Sequence, residues 1–259
     1  GLFREHASFL SNPLLLSIML LTYGDNAEIP NKLSLFYNQA YETLFQRHDA
    51  IKGGYLRARL ADLDIQQFSR VFSLFCVLSL DKRIFKMPRT KCLDYITRSR
   101  DNLRENFKAE DFLSDLLSAA CLMIEDGLEV TFSHRSFQEY FVAIFIADTS
   151  PALQAKLIEK YWHRLGSDSV INLLLEMKPD LVERVLIIPK LKELFDLLGV
   201  IDKVEPLHVV KFIKSAYETI RIAKREFTYT ARSQSSFLEE TQKMPYEIAL
   251  FAMSSIAKH

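Results

Sequence analysis

Residues 132–145 read Phe-Ser-His-Arg-Ser-Phe-Gln-Glu-Tyr-Phe-Val-Ala-Ile-Phe, and His134 is the residue in this chain best placed to do chemistry. Val130 and Phe132 alternate with Thr131 and Ser133, which is strand periodicity. After His134 the apolar residues Phe137, Tyr140, Phe141, Ile144 and Phe145 recur at helical spacing. The histidine therefore stands where a strand hands over to a helix. There its ring lies beside free backbone N–H groups and the positive end of the dipole, where a phosphate can also sit. An imidazole can donate a hydrogen bond to a phosphate oxygen. The residues alone leave two readings open, a helix cap that packs and an anion sensor.

Other candidate chemistry is thinner. Gln138 and Glu139 follow on the same helix and read as caps or hydrogen-bond partners of neighbouring helices. His134 and Glu139 do not form the His-Glu-x-x-His zinc pattern. Glu125 and Asp126 read as turn residues. No histidine has an arginine five places before it, which removes the Arg-x-x-x-x-His ribonuclease pair. No Gly-x-x-x-x-Gly-Lys-Ser/Thr phosphate loop occurs, and Gly53-Gly54 reads as a flexible turn. No catalytic residue and no metal ligand is expected in this chain.

The elements that must position His134 can be read in order. Pro13 opens a short helix ending near Leu21, and Lys32 to about Arg47 forms another with Leu33, Phe36, Tyr37, Ala40, Tyr41 and Leu44 on one stripe. Residues 49–59 form a linker. Asp62 or Asp64 caps a helix carrying Ile65, Phe68, Phe72 and Phe75. Residues 83–86 are a short strand, and helices follow over 88–98 and 110–120. A hairpin over 122–133 turns on Asp126-Gly127, a strong two-residue signal. Beyond Asp148 the pattern predicts helices over 152–165, 168–177, 180–187, 190–199, 206–226 and 237–258, with no fixed-period repeat.

The fold class is thus mainly α. It comprises a small helical domain over residues 1–50, a winged-helix domain with a β-hairpin wing over residues 60–150, and an all-helical C-terminal array over residues 151–259.

The wording of two segments narrows the function. Phe132-Ser-His-Arg-Ser-Phe-Gln-Glu-Tyr-Phe closely resembles the winged-helix signature of NACHT-type signal-transducing ATPases. Phe9-Leu-Ser-Asn-Pro-Leu-Leu-Leu16 is similar to the same family's first helical domain, as is Ile-Pro-x-Lys-Leu-x-Leu-Phe-Tyr over residues 29–37. The resemblance covers roughly residues 1–150. It implies that His134 reaches the β-phosphate of bound ADP and holds a closed, inactive form, and that Pro13 lies against the adenine. It implies an ADP/ATP cofactor whose magnesium is held by a P-loop ATPase domain upstream, so that this piece alone binds no nucleotide tightly. It also implies self-association on activation, an unidentified trigger ligand, a cytoplasmic setting, and a role in antiphage defence or innate immunity. The opening without Met fits an excised piece of a longer protein.

Composition agrees with this class. Apolar residues make up 49% of the 259, enough for a core, and glycine is scarce at seven, as suits helices. Basic and acidic residues balance at 33 each, which disfavours a nucleic-acid surface. The helix expected over 110–120 carries acidic residues on its exposed face, against DNA binding. Arg89, Lys91, Arg98, Arg100 and Arg104 read as a solvated face or a contact with the ATPase core. Cys76, Cys92 and Cys121 read as buried free thiols. No run approaches a membrane span, so no membrane partner is expected. The alternative to the ATPase arm is a stand-alone helical adaptor that binds a protein or nucleic acid through its winged helix.

Overall fold

A computed structural model describes residues 16, 17, 19, 20, 32–47, 59–223 and 226–231. Pro13, the 49–58 linker and the helix expected over 237–258 lie outside them. The described residues are mainly helical, and the chain divides into two compact units, one ending at Pro179 and the other beginning at Asp180.

The first unit opens with α1, Leu33–Arg47. Leu60 and Ala61 then enter α2, Ile65–Leu80. Asp64 is its N-cap: the carboxylate accepts the N–H groups of Gln66 and Gln67, both at 2.8 Å, and the Gln67 side chain accepts the Asp64 N–H at 3.2 Å. This reciprocal box satisfies donors that a helix start otherwise leaves open. Of the two expected caps, Asp64 holds the position, and Asp62 is a left-handed residue with φ +48°.

Three short strands form an antiparallel sheet in the order β1–β3–β2, with β1 at Lys86–Pro88, β2 at Met123–Asp126 and β3 at Glu129–Phe132. The first strand sits three residues later than the expected 83–86. Arg83 is left-handed at φ +54°, and the backbone N–H of Ile84 folds back onto Ser79 O, so these residues close α2 instead. The β2–β3 turn is Gly127-Leu128, with Asp126 paired to Glu129. Gly127 has φ +65° and Leu128 does not share the left-handed region, which fits the type II′ hairpin that needs glycine at its first central position. Between these strands run α3, Arg89–Leu103, and α4, Ala109–Ser118.

Helix α5, Arg135–Asp148, leaves β3 and lies against α2. Their interface is aromatic. Phe72 meets Phe141 edge-on at 4.8 Å between centroids, Phe132 joins Phe72 and Phe75 from the sheet, and Phe68 of α2 extends the cluster to Phe112 of α4 at 4.5 Å. Helix α1 joins the same cluster through Tyr37 on Phe137 and Tyr41 on Phe141. Such pairs contribute about 0.5–1.5 kcal/mol each beyond area burial, and they seat α1 and α5 together. Helices α6, Pro151–Trp162, and α7, Val170–Met177, complete the unit. The N–H of Ser34 in the first turn of α1 donates to Glu176 of α7 at 2.9 Å.

The second unit departs from an all-helical array. Residues 179–198 form one helical run: α8, Pro179–Val182, a π-helical turn at Glu183–Ile187, and α9, Ile188–Leu198. The expected break before residue 190 is absent. Pro189 lacks the N–H an α-helix would use, and the chain absorbs the loss in the wider turn, where the Ile188 N–H donates to Glu183 O. Gly199, at φ +76°, ends α9. The helix expected over 206–226 stops early as α10, Pro206–Ala216. Residues 217–231 instead pair as an antiparallel hairpin, β4 at Tyr217–Ala223 and β5 at Glu226–Ala231. Thr219, Ile220, Ile222, Phe227, Thr228, Tyr229 and Thr230 are β-branched or aromatic residue types that favour a pleated strand.

Candidate functional site

Strand β3 delivers the chain through Ser133, whose N–H donates to Leu122 O at 3.0 Å. His134 follows in extended geometry and is the N-cap of α5. Its Nδ1 accepts the N–H of Ser136 at 3.2 Å and lies 2.5 Å from Ser136 Oγ. The imidazole thus serves the capping role that the residues alone suggested. It also keeps its other nitrogen available: Nε2 has no hydrogen-bond partner among the described residues. A nitrogen that accepts an N–H carries no proton, so the neutral ring holds its proton on Nε2. Partial burial lowers the His134 pKa and favours that neutral form. The ring lines an open cavity of about 470 Å³ walled by α1, the first turn of α5 and the 165–169 turn before α7. It is not enclosed by hydrocarbon.

Much of the remaining lining is ionic. Arg135 Nε pairs with Glu139 at 2.7 Å, the Arg135 guanidinium donates to Ser167 O, and it lies over the Phe85 ring at 4.5 Å. The second Glu139 oxygen accepts the N–H of Ser169 at 3.1 Å, and Asp168 accepts the N–H of Val170 at 3.3 Å. Both carboxyls are raised above their ordinary values, chiefly by burial. The carboxylates are thus spent on Arg135 and on the start of α7, and His134 Nε2–H is an uncommitted donor on the cavity among the described residues.

Gln138 and Glu139 are buried. Gln138 Nε2 donates to Ser79 Oγ at 2.8 Å and to Ile84 O at 3.0 Å, tying α5 to the end of α2. Both residues hold neighbouring elements in place, as expected of their types. Pro13, the second expected site residue, lies outside the described residues.

Residues that sequence reasoning passed over also shape the site. Tyr37 belongs to the apolar stripe of α1, yet it lines the cavity, and burial pushes its hydroxyl up to about 12. Ser136 touches the histidine directly. The 167–169 turn carries no local signal for its part in the cavity. Asp115, on the helix whose exposed face was expected to be acidic, is buried. It accepts the N–H groups of Leu60 and Ala61 at 3.0 and 2.9 Å.

Two of the basic residues expected to form a solvated face are paired. Arg89 pairs with Glu110 at 2.7 Å and with Glu125, and Arg100 pairs with Asp101 at 2.8 Å. Cys76 and Cys92 are buried as expected, with their thiols raised by burial, but Cys121 is exposed on a left-handed residue. Among the described residues no cluster of three histidine, cysteine or acidic side chains is placed to hold a metal, and no helix is long and apolar enough to cross a membrane.

Residues 177–257 match the family model of the short NACHT-associated C-terminal domain, family 13. The chain is a NACHT-associated fragment. The matched stretch is an accessory region and not a catalytic domain, and it falls in the part that the winged-helix signature does not reach. Two separate stretches of this NACHT-associated chain therefore point the same way. No curated protein and no solved structure matches it.

Proposed function

We propose that this chain is the nucleotide-sensing, autoinhibitory arm of a NACHT-type signal-transducing ATPase. The observation that carries the reading is His134: a helix-capping imidazole with Nδ1 committed to Ser136 and Nε2–H left as a donor on an open cavity. The NACHT-associated domain at residues 177–257 supports the same parentage.

In this account ADP or ATP is carried mainly by an upstream P-loop domain, which also holds magnesium. The diphosphate supplies the negative charge that His134 grips. Pro13 is the apolar plate for the adenine. Nε2–H of His134 donates to a β-phosphate oxygen, and the aromatic contacts of Tyr37 and Tyr41 keep the small helical domain seated on α5 while it does so. A hydrogen bond to a charged group contributes about 1.5–3 kcal/mol, the size of an ordinary allosteric coupling energy. One histidine can therefore bias a two-state assembly without taking part in bond making. Release of that contact frees the arm from the ATPase domain and exposes a surface for self-association, in answer to a trigger ligand. The setting is cytoplasmic, in antiphage defence or innate immunity.

The paired state of Arg89 and Arg100 favours this reading over a nucleic-acid adaptor. Size-exclusion chromatography of the parent ATPase tests it. His134→Ala and Pro13→Ala are expected to assemble without a trigger, whereas a monomeric profile identical to the unaltered protein counts against the switch.

A further inference from the structure

A second cavity, of about 320 Å³, lies at the other end of α5 from His134, where that helix meets α2 and the end of α3. Its volume is in the range of small-molecule sites. The α2 side carries Arg70 and Ser73, three positions apart and so on one helix face. Arg70 lies 3.8 Å from a Glu105 oxygen, and none of its N–H donors makes a hydrogen bond among the described residues. Ser73 is buried, and its hydroxyl has no partner. Other helical serines of this fold spend theirs on the carbonyl one turn back. Ser79 donates to Phe75 O and Ser99 to Tyr95 O, both at 2.9 Å, and Ser118 to Ser114 O at 2.7 Å. A buried hydroxyl left unpaired is unfavourable, so Ser73 points to a partner that the fold itself does not supply.

The α5 side carries Asp148, the last residue of the helix. Its carboxylate has no hydrogen bond or ion pair among the described residues. Leu103, Ile144 and Phe145 add apolar surface. Donors of α2 thus face the cavity from one helix and a free carboxylate from another, with hydrocarbon beside them. We propose that this cavity binds a free amino acid with an apolar side chain. Its carboxylate is held by the Arg70 guanidinium, which offers several N–H donors, and by the Ser73 hydroxyl, which can rotate to donate. Its ammonium pairs with Asp148, and its side chain lies against Leu103 and Phe145. A ligand with one charge matches only one side. The site is separate from the His134 cavity, about 20 Å away along α5, and does not rest on the nucleotide reading.

Isothermal titration calorimetry of the 259-residue chain tests this with L-phenylalanine and L-leucine as probes. Two relatives of the first serve as one-charge probes: 3-phenylpropionate lacks the ammonium and phenethylamine lacks the carboxylate. At least one amino acid is expected to bind at up to millimolar concentration, and the one-charge probes at least ten-fold more weakly than L-phenylalanine. Arg70→Gln and Asp148→Asn are each expected to weaken amino-acid binding at least ten-fold. Both positions are exposed, so neither substitution disturbs the core. Ser73→Ala removes a hydroxyl that makes no internal bond. It is expected to weaken binding several-fold without lowering the urea midpoint. No saturable heat with either amino acid overturns the proposal, and so does equal binding of all the phenyl probes. Amino-acid binding that survives both Arg70→Gln and Asp148→Asn places the ligand elsewhere and overturns it as well.

Discussion

The carboxylate of Glu139 accepts the backbone N–H of Ser169 at 3.1 Å, 30 residues further along the chain. Its other oxygen pairs with Arg135. Helix α5 and the start of α7 are thereby tied together beside the cavity that His134 lines. Glu139→Ala leaves that N–H without its acceptor, and it is expected to lower stability by about 1–3 kcal/mol in urea unfolding. Glu139→Gln keeps an acceptor and is expected to cost less. Burial raises the Glu139 pKa, so the ionised form is the disfavoured one in the fold. The stability tied to it is full below the ordinary carboxylate value and is lost as pH rises through the raised value. Glu139→Gln is expected to flatten that part of the profile and to leave the Asp168 part.

Asp115 clamps the entry to α2 in the same manner, with both oxygens on the N–H groups of Leu60 and Ala61 and only 3% of the residue exposed. Asp115→Ala strands two N–H groups and is expected to cost about 2–5 kcal/mol, whereas Asp115→Asn keeps one acceptor and costs about half as much. Urea midpoints give the totals. Hydrogen exchange at the Leu60 and Ala61 amides is expected to accelerate first.

The titration of His134 has the opposite sign to that of Glu139. Its pKa is lowered by burial, so the unfolded chain takes the proton first. Stability is level above the ordinary imidazole value, falls as pH drops from there to the lowered value, and is level again below it. Protonation also turns Nδ1 from an acceptor into a donor facing the Ser136 N–H, which removes the cap. His134→Asn keeps a good N-cap without a titrating ring. Unfolding midpoints between pH 5 and pH 8 are expected to lose this acid-side fall in His134→Asn.

Local signals made much of the fold readable in advance. Asp64 lies two and three residues from the N–H groups it caps. Asp126-Gly127 adjoins its turn, and His134 stands at the junction of two periodicities. Each of these depends on neighbours within a few positions. What escaped depends on distant partners. The burial of Gln138 follows from Ser79, 59 residues earlier, and the buried face of α4 follows from Leu60 and Ala61. The cavity is built from α1, α5 and the 165–169 turn, which no spacing rule joins. In the second unit, helical spacing through residue 216 continues into Tyr217 with no Gly or Pro to mark a change. The β-branched content of residues 219–230 was the available signal. At Pro189 a break was expected because proline removes an α-helical donor, yet a π-turn accommodates that loss without ending the helix.

The affinity of the parent ATPase for ADP, compared with that of its His134→Ala form, is the most direct measure of the central claim. Loss of one charge-assisted hydrogen bond predicts roughly ten- to hundred-fold weaker ADP binding, with assembly in the absence of a trigger. An ADP affinity equal to that of the unaltered protein, together with an unchanged resting state, contradicts the account.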